Sequence, residues 1–180
     1  LLTVGTDCSV GKMFTSLAIE REMQSRRMPC TFRATGQTGI FIAGEGVSVD
    51  AVISDFVAGA AETITPANEP AHWDLVEGQG SLFHASYAGV SLGLMHGAQP
   101  DALILCHDPN RAHMRGLPEH QLPGLGECIQ LNEQCARLTN AACRTVGVAV
   151  NTSHLSDDEA NVLLDSIEGE TGLPSVDPLR

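Results

Sequence analysis

The sequence has few aromatic and few basic residues. Aromatic side chains make up 4% of the 180 residues, whereas glycine occurs 18 times. Small residues let a backbone approach a ligand closely, which suits an α/β nucleotide-binding fold better than an aromatic-rich β-sandwich. Only 10 lysines and arginines stand against 22 acidic residues, which gives a net charge of −12. Because nucleic-acid binding needs clustered cations, this balance argues against a nucleic-acid partner.

The chain also lacks a signal-peptide pattern, an apolar run long enough to span a bilayer, and paired C-x-x-C spacings. These absences predict a cytoplasmic protein with no membrane association and no metal site. The six cysteines are interpreted as small buried side chains in a reducing compartment. The spacing of Cys128, Cys135 and Cys143 places them near one face of a predicted helix.

The length suits one domain, residues 1–180, with a substantial core. The chain begins with Leu1 instead of methionine, and this residue already lies in a predicted strand. We therefore expect that this is the C-terminal domain of a longer protein.

Strand and helix patterns alternate along the chain. Short apolar runs predict strands at Leu1–Val4, Cys30–Ala34, Trp73–Val76, Ala102–Cys106 and Thr145–Val150. Helices are predicted at Gly11–Arg27, Val47–Ala61, Tyr87–Met95, Glu127–Ala142 and Ser156–Gly169. Glycines and prolines predict loops at 35–46 and 107–124. This order is typical of a P-loop NTPase-like three-layer α/β sandwich, whose mostly parallel sheet is covered by helices on both faces.

Ligands of such sheets bind at the carboxyl ends of the strands. Five segments directly follow the predicted strands: Gly5–Lys12, Thr35–Gly39, Glu77–Gly80, His107–Arg115 and Asn151–His154. We expect the functional side chains to lie in these segments.

The strongest motif connects the first strand to the first helix and resembles the P-loop pattern G-x-x-x-x-G-K-[ST]. It comprises Gly5, Thr6, Asp7, Cys8, Ser9, Val10, Gly11 and Lys12, and Met13 follows. The gap between its glycines is one residue longer than usual. Met13 stands where a hydroxyl residue normally holds Mg²⁺. Free amides, the helix N-terminus and the Lys12 ammonium still predict a site for phosphates that are bound but not hydrolysed.

A second motif, Asp74–Gly80, ends an apolar strand with the acidic residue Glu77. This is the Walker B position, where a carboxylate serves a bound metal or ligand. The alternative is a carboxylate that caps a helix or bonds a loop.

The two motifs together resemble those of dethiobiotin synthetase and related P-loop proteins. A third match is the strand Gly147–Val150, which Asn151 follows. In that group the corresponding asparagine contacts the adenine base, which implies the same role for Asn151. The alternative for Asn151 is a turn former at a strand end.

A closer resemblance spans nearly the whole chain. Residues 5–13, 34–39, 50–59, 77–81 and 107–111 resemble the D-glutamate N-acetyltransferase family, long catalogued as a domain of unknown function. The resemblance implies transfer of an acetyl group from acetyl-CoA to the amine of D-glutamate, with the P-loop holding the cofactor phosphates. It also implies an N-terminal domain ahead of this one. Met13 fits, because the family keeps a methionine after the P-loop lysine.

Acetyl transfer needs a base that takes a proton from the incoming amine. The candidate catalytic residues are Glu77, His107 and Asp50, and His84 is a further choice. Each could instead be a solvated or loop residue.

The two carboxylates of the substrate need cations, which are scarce in this chain. Arg111 and Arg115 are predicted to bind them, and Arg33 is an alternative. Each arginine could instead form a surface ion pair. Gln37 and Thr38, which follow the second strand, complete the predicted substrate site.

Two other functions stay open at this point. An ATP-dependent ligase or kinase resembling dethiobiotin synthetase would place Glu77 and Asp7 around Mg²⁺, although Met13 counts against it. The other is a non-catalytic nucleotide-binding regulatory module. For the acetyltransferase we expect small-molecule substrates and a homo-oligomer as the assembled state.

Overall fold

A parallel sheet forms the centre of the molecule, and the computed structural model describes residues 1–180 throughout. In chain order the strands are β1 (Leu2–Gly5), β2 (Cys30–Arg33), β3 (Trp73–Val76), β4 (Ala102–His107), β5 (His113–Met114), β6 (Leu117–Gln121), β7 (Arg144–Val150) and β8 (Ser175–Val176). Six of them form one sheet in the order β2-β3-β1-β4-β7-β8, and all neighbours are parallel. β5 and β6 form a separate antiparallel hairpin. The predicted α/β sheet is confirmed.

Helices cover both faces of this sheet. They are α1 (Lys12–Ser25), α2 (Gln37–Ala43), α3 (Val57–Ile64), α4 (Ala88–Ala98), α5 (Leu125–Ala136) and α6 (Asp157–Thr171). α1 packs on β1, β2 and β3, while α3, α4, α5 and α6 form a row in which each contacts the next. No helix is both long and apolar enough to cross a lipid bilayer.

The main core lies between the sheet and the row of helices. Alternate residues of β1 belong to different layers, as expected for a strand covered on both faces. Leu2 and Val4 belong to the core that includes Leu94 of α4, whereas Thr3 lies 3.1 Å from Ser16 of α1, oxygen to oxygen. Burial of each large apolar side chain stabilises the fold by about 1.5–3 kcal/mol.

The predicted loop at 35–46 is wrong, because it contains α2. Gly36 is the N-cap of this helix, and Gly44 is its C-cap in the left-handed conformation, with φ of 79°. Glycine is favoured at such a C-terminal position. The glycines therefore mark the ends of a short helix.

The predicted helix at Val47–Ala61 is only partly present. Two 3₁₀ turns, Val49–Ala51 and Ser54–Phe56, precede α3. Val52 between them is extended, so the helical period is interrupted. Ile53, which the helix was expected to bury, is 71% exposed.

Two further differences lie near the C-terminal half. The predicted loop at 107–124 contains the β5–β6 hairpin, and α5 ends at Ala136, before the predicted end at Ala142. After α5 the Asn140 amide donates to the Pro100 carbonyl and to Asp101, which fixes a turn. Cys143 is buried but lies outside the helix that carries Cys128 and Cys135. All six cysteines are free thiols.

Candidate functional site

A cleft of about 670 Å³ opens at the carboxyl ends of β1, β2 and β3. Its lining comes from the P-loop, the first turn of α1, the start of α2, the segment after β3, and the start of α4. The parallel register of the three strands brings three of the five predicted strand-end segments to this one place. Arg115 comes from the segment after β4.

The P-loop exposes backbone amides to the cleft. Ser9 and Gly11 are left-handed, with φ of 53° and 96°, and Gly11 is the N-cap of α1 without a side-chain cap. Gly11, Lys12 and Met13 all line the cleft. The first amides of α1 therefore keep their hydrogen-bonding capacity for a ligand, and the helix dipole favours an anion there.

Lys12 lies under this turn as a buried ammonium. It is 6% exposed, and its Nζ donates to the Asp7 carbonyl at 2.8 Å. Burial lowers the pKa of Lys12, although nearby thiols and the Asp7 carboxylate oppose the shift. Lys12 forms no ion pair within the protein. Since a buried cation is stabilised by an opposite charge, an anion in the cleft is its natural partner.

Glycines allow β1 and the segment after β3 to approach closely beneath the cleft. A Cβ atom on Gly78 would lie 1.7 Å from the Thr3 carbonyl oxygen, and the Gly78 amide donates to Thr3 Oγ1 at 2.9 Å. A Cβ on Gly5 would lie 2.8 Å from the Asp7 carbonyl oxygen. Only glycine fits at Gly78 without moving the backbone.

Glu77 matches the loop-bonding alternative and also lies at the cleft. Its Oε2 accepts hydrogen bonds from the amides of Thr35 and Gly36, at 2.9 and 3.0 Å, and so anchors the start of α2. A Cβ on Gly39 would lie 2.2 Å from the same oxygen, which explains the glycine inside α2. Glu77 also lines the cleft, and its Oε1 forms no hydrogen bond within the protein.

Four other predicted residues line the same cleft. Gln37 and Thr38 begin α2, Asp50 lies in the first 3₁₀ turn, and Arg115 donates to the Ser9 hydroxyl. Asp50 is exposed, and its carboxylate accepts a hydrogen bond from Ser48. These side chains put both signs of charge around the opening.

Arg111 and Arg33 do not line the cleft. The Arg111 guanidinium donates to Asp7 Oδ2 at 2.8 Å, to the Cys8 carbonyl at 2.7 Å and to the Ser9 carbonyl at 2.8 Å. Arg33 pairs with Asp74 at 2.7 Å. Nη1 and Nη2 of Arg111 and Nε of Arg33 are therefore bonded inside the protein.

The two predicted histidines also lie outside the cleft lining. His107 Nδ1 is 3.1 Å from Thr6 Oγ1, and burial lowers the pKa of His107 despite the nearby Asp108. His84 Nε2 contacts the Arg115 carbonyl at 2.9 Å, while its Nδ1 accepts a hydrogen bond from the Ser86 amide at 3.1 Å. With both ring nitrogens bonded to backbone, His84 has no nitrogen left to act as a base.

Asn151 stabilises the turn after β7. Its backbone amide donates to the His107 carbonyl at 2.9 Å, and its side-chain oxygen accepts a hydrogen bond from the Ser153 backbone amide at 3.2 Å. Asn151 does not line the cleft. Its contacts match the turn-forming alternative.

Two polar residues that line the cleft were given no role by the sequence analysis. Gln79 lies within the second motif, and its side-chain amide donates to Thr35 Oγ1 at 3.1 Å. Tyr87 lies just before α4 and lines the cleft opening. The glycines on either side of Gln79 were the available signal, whereas nothing in the sequence marks Tyr87.

Asp7, Cys8 and His84 each place one potential ligand atom within 4.8 Å of the others. Asp7 Oδ1 already accepts from the Cys8 amide, and its Oδ2 accepts from Arg111 and from the Arg115 amide. Burial raises the pKa of the Cys8 thiol, although Lys12 opposes the shift. These residues do not fit Mg²⁺ or another cation as arranged, because each group is bonded or protonated.

Residues 1–180 match the sequence family described as a domain of unknown function, the DUF1611_C P-loop domain. The chain belongs to this family. The crystal structure of a DUF1611 family protein from Anabaena variabilis superposes on this chain with a TM-score of 0.94, and the two sequences are 40% identical. The match covers 99% of this chain and 53% of that one.

Two curated relatives carry the name D-glutamate N-acetyltransferase. The one from Tritonibacter scottomollicae is 59% identical over 179 residues, covering 99% of this chain and 54% of the relative. The one from a Pseudoalteromonas species is 54% identical over 180 residues, covering 100% of this chain and 54% of the relative. The predicted family resemblance is confirmed. The chain spans about half the length of these relatives.

A more distant likeness supports the fold alone. Cobyrinic acid a,c-diamide synthase from Mycobacterium smegmatis, solved with bound ADP and magnesium, has a TM-score of 0.52 and 12% identity. The match covers 93% of this chain and 81% of that one. It agrees with the predicted P-loop NTPase-like architecture.

Proposed function

We propose that this chain is the cofactor-binding part of an amino-acid N-acetyltransferase that transfers an acetyl group from acetyl-CoA to D-glutamate. The main support is one cleft that combines the P-loop amides and Lys12 with a carboxylate oxygen of Glu77 and the cation of Arg115. The names of the two curated relatives support the reaction and the acceptor.

The P-loop binds the phosphates of acetyl-CoA in this proposal. The amides at the start of α1 donate to the pyrophosphate oxygens, and Lys12 supplies the positive charge. Nothing in this role requires phosphate cleavage, so Met13 in place of a Mg²⁺-binding hydroxyl is compatible with it. We place the reaction in the cytoplasm, because all six cysteines are free thiols and thiols persist in a reducing compartment.

Glu77 is the proposed base. Its Oε2 is held by two amides, so the carboxylate has a fixed orientation while Oε1 remains free. In the reaction the neutral acceptor amine bonds through nitrogen to the acetyl carbonyl carbon, the carbon–sulfur bond breaks, and coenzyme A leaves as the thiolate. Glu77 accepts the proton that the amine loses.

The start of α2 and Arg115 form the proposed acceptor site. Arg115 pairs with one substrate carboxylate, while the Gln37 amide and the Thr38 hydroxyl donate to the acceptor or to the thioester oxygen. The part of the longer relatives that this chain does not cover is the proposed source of the rest of this pocket.

The ATP-dependent ligase is not favoured. It would need Asp7 as a Mg²⁺ ligand, and both Asp7 oxygens already accept hydrogen bonds from N–H donors. The residue after Lys12 offers no hydroxyl either.

An acetylation assay of the full-length protein tests the proposal. Acetyl-CoA is supplied with a panel of D- and L-amino acids, and product is detected by mass spectrometry. We expect acetylation of D-glutamate above every other acceptor, without ATP. Release of phosphate from ATP with no acetyl transfer to any acceptor would contradict the proposal.

A further inference from the structure

Arg111 holds the outer side of the P-loop. Its guanidinium donates to the Asp7 carboxylate and to the carbonyls of Cys8 and Ser9, at 2.7 to 2.8 Å. Three consecutive loop residues are thus fixed by one planar group. Arg111 is separated from Asp7 by 104 positions in the chain, so this contact depends on the tertiary fold.

The negative charge of Asp7 is stabilised by the Arg111 guanidinium. Its side chain is fully buried, and it lies in the loop that we assign to phosphate. A buried carboxylate next to a phosphate site repels the ligand unless a positive charge offsets it. In P-loop enzymes a bound Mg²⁺ commonly provides positive charge at the phosphates.

We propose that Arg111 provides this charge in place of a divalent cation, so that the loop binds phosphates without metal. The guanidinium contacts Asp7 on the side where a metal would need a free carboxylate oxygen, and the Arg115 amide donates to the same oxygen at 2.8 Å. Arg111 is a positioning residue in this role, because it contacts the loop and not the ligand. The inference rests on the phosphate site of the proposed function.

The surroundings of Arg111 keep it in place. Its Nε lies 3.6 Å from Asp108 on the same segment, and the following segment is tied down through the contact between the Arg115 carbonyl and His84. A guanidinium held by several acceptors loses little further freedom when a ligand binds. The positive charge is therefore present before the phosphates arrive.

Calorimetric titration of the intact protein with coenzyme A tests this inference. Wild type is measured in EDTA and in excess Mg²⁺, and Arg111→Ala and the pair Asp7→Asn with Arg111→Ala follow. Arg21→Ala is the control, because Arg21 is exposed on α1 and forms no ion pair.

We expect wild-type affinity to agree within about threefold in EDTA and Mg²⁺. Arg111→Ala should weaken binding by about tenfold or more in EDTA, since a charged partner is lost beside a buried carboxylate. Adding Asp7→Asn should restore much of that loss, because the uncompensated charge disappears while the acceptor of the Cys8 amide remains. A purely structural arginine would give a loss that the second substitution does not restore.

Two outcomes overturn the inference separately from the proposed function. If wild type binds coenzyme A only with Mg²⁺, the phosphate site stands but Arg111 does not replace a metal. If Arg111→Ala binds as wild type does, or Asp7→Asn restores nothing, the charge argument is wrong. If coenzyme A binds under neither condition, the cofactor site and this inference both fail. The wild-type comparison can overturn the inference even if a variant does not fold.

Discussion

The carboxyl edge of the sheet has two halves that differ in their polar groups. Above β1, β2 and β3, Lys12 forms no ion pair and Glu77 keeps one oxygen free, and both line the cleft. Beyond β4 and β7, Arg111 and Asn151 are bonded to protein groups. The position after a strand therefore indicates where function can lie. The hydrogen-bonding groups that stay free in the cleft make it the candidate site.

Part of the second half supports the P-loop, although Arg115, which also follows β4, lines the cleft. Arg111 fixes the carbonyls of the P-loop, and His107 contacts Thr6 at the loop's first turn. Substitutions in the open half, above β1, β2 and β3, and in the bonded half, beyond β4 and β7, test whether the two halves differ in function.

The largest effect is expected at Glu77. Glu77→Gln keeps an oxygen for the amides of Thr35 and Gly36 but removes the base, so turnover of D-glutamate by the full-length protein should fall by about 10²–10⁴-fold. Acetyl-CoA affinity should stay within about threefold. His107→Gln is the matched change in the bonded half, and it should leave turnover within about threefold. Equal losses of turnover in the two variants would contradict the difference between the two halves.

Gly78→Ala tests the close approach beneath the cleft. The added Cβ would overlap the Thr3 carbonyl, so the free energy of unfolding should fall by about 3 kcal/mol or more. Urea unfolding followed by circular dichroism measures the change. Gly89→Ala in α4 is the control, because no atom lies within 4 Å of its added Cβ; stability should be unchanged or rise by up to about 1 kcal/mol. A mild effect at Gly78 would show that this backbone contact can relax.

Lys12→Ala should weaken acetyl-CoA binding by about 10–100-fold, the usual worth of a charge-assisted hydrogen bond. Its melting temperature should hold or rise, because the buried ammonium has no carboxylate partner in the free protein. Calorimetry and thermal melting of the same sample separate the two effects. The prediction fails if affinity is retained, or if the variant loses affinity only because it is unfolded.

The smallest effect concerns His107 and pH. Burial lowers the pKa of His107 below its ordinary value of 6.5, so the folded state binds fewer protons than the unfolded chain. This part of the stability is present above pH 6.5 and is lost progressively as the pH falls from that value to the lower pKa of the folded state. His107→Gln should therefore show a smaller drop in melting temperature between pH 7 and pH 5 than wild type does. An unchanged drop would indicate that His107 titrates as it does in the unfolded chain.

Much of the fold follows from the sequence. The apolar runs locate five of the six strands of the main sheet, since a strand buried on both faces must be apolar along its length. β8 was missed because this strand, Ser175–Val176, is only two residues long. Glycine misled the prediction of α2, because glycine occurs at helix ends as well as in loops.

The site follows from the sequence only in part. The P-loop motif and Glu77 were located because their chemistry is local to a short segment. The sequence could not distinguish Arg115, which lines the cleft, from Arg111, which does not. Both follow β4, and the partners of Arg111 lie about a hundred positions away in the chain.

A crystal structure with bound coenzyme A would show whether the P-loop holds the phosphates of acetyl-CoA. We expect the pyrophosphate within hydrogen-bond distance of the amides of residues 11–13 and of Lys12 Nζ. Coenzyme A bound elsewhere, with these amides and Lys12 free of phosphate, would contradict this expectation.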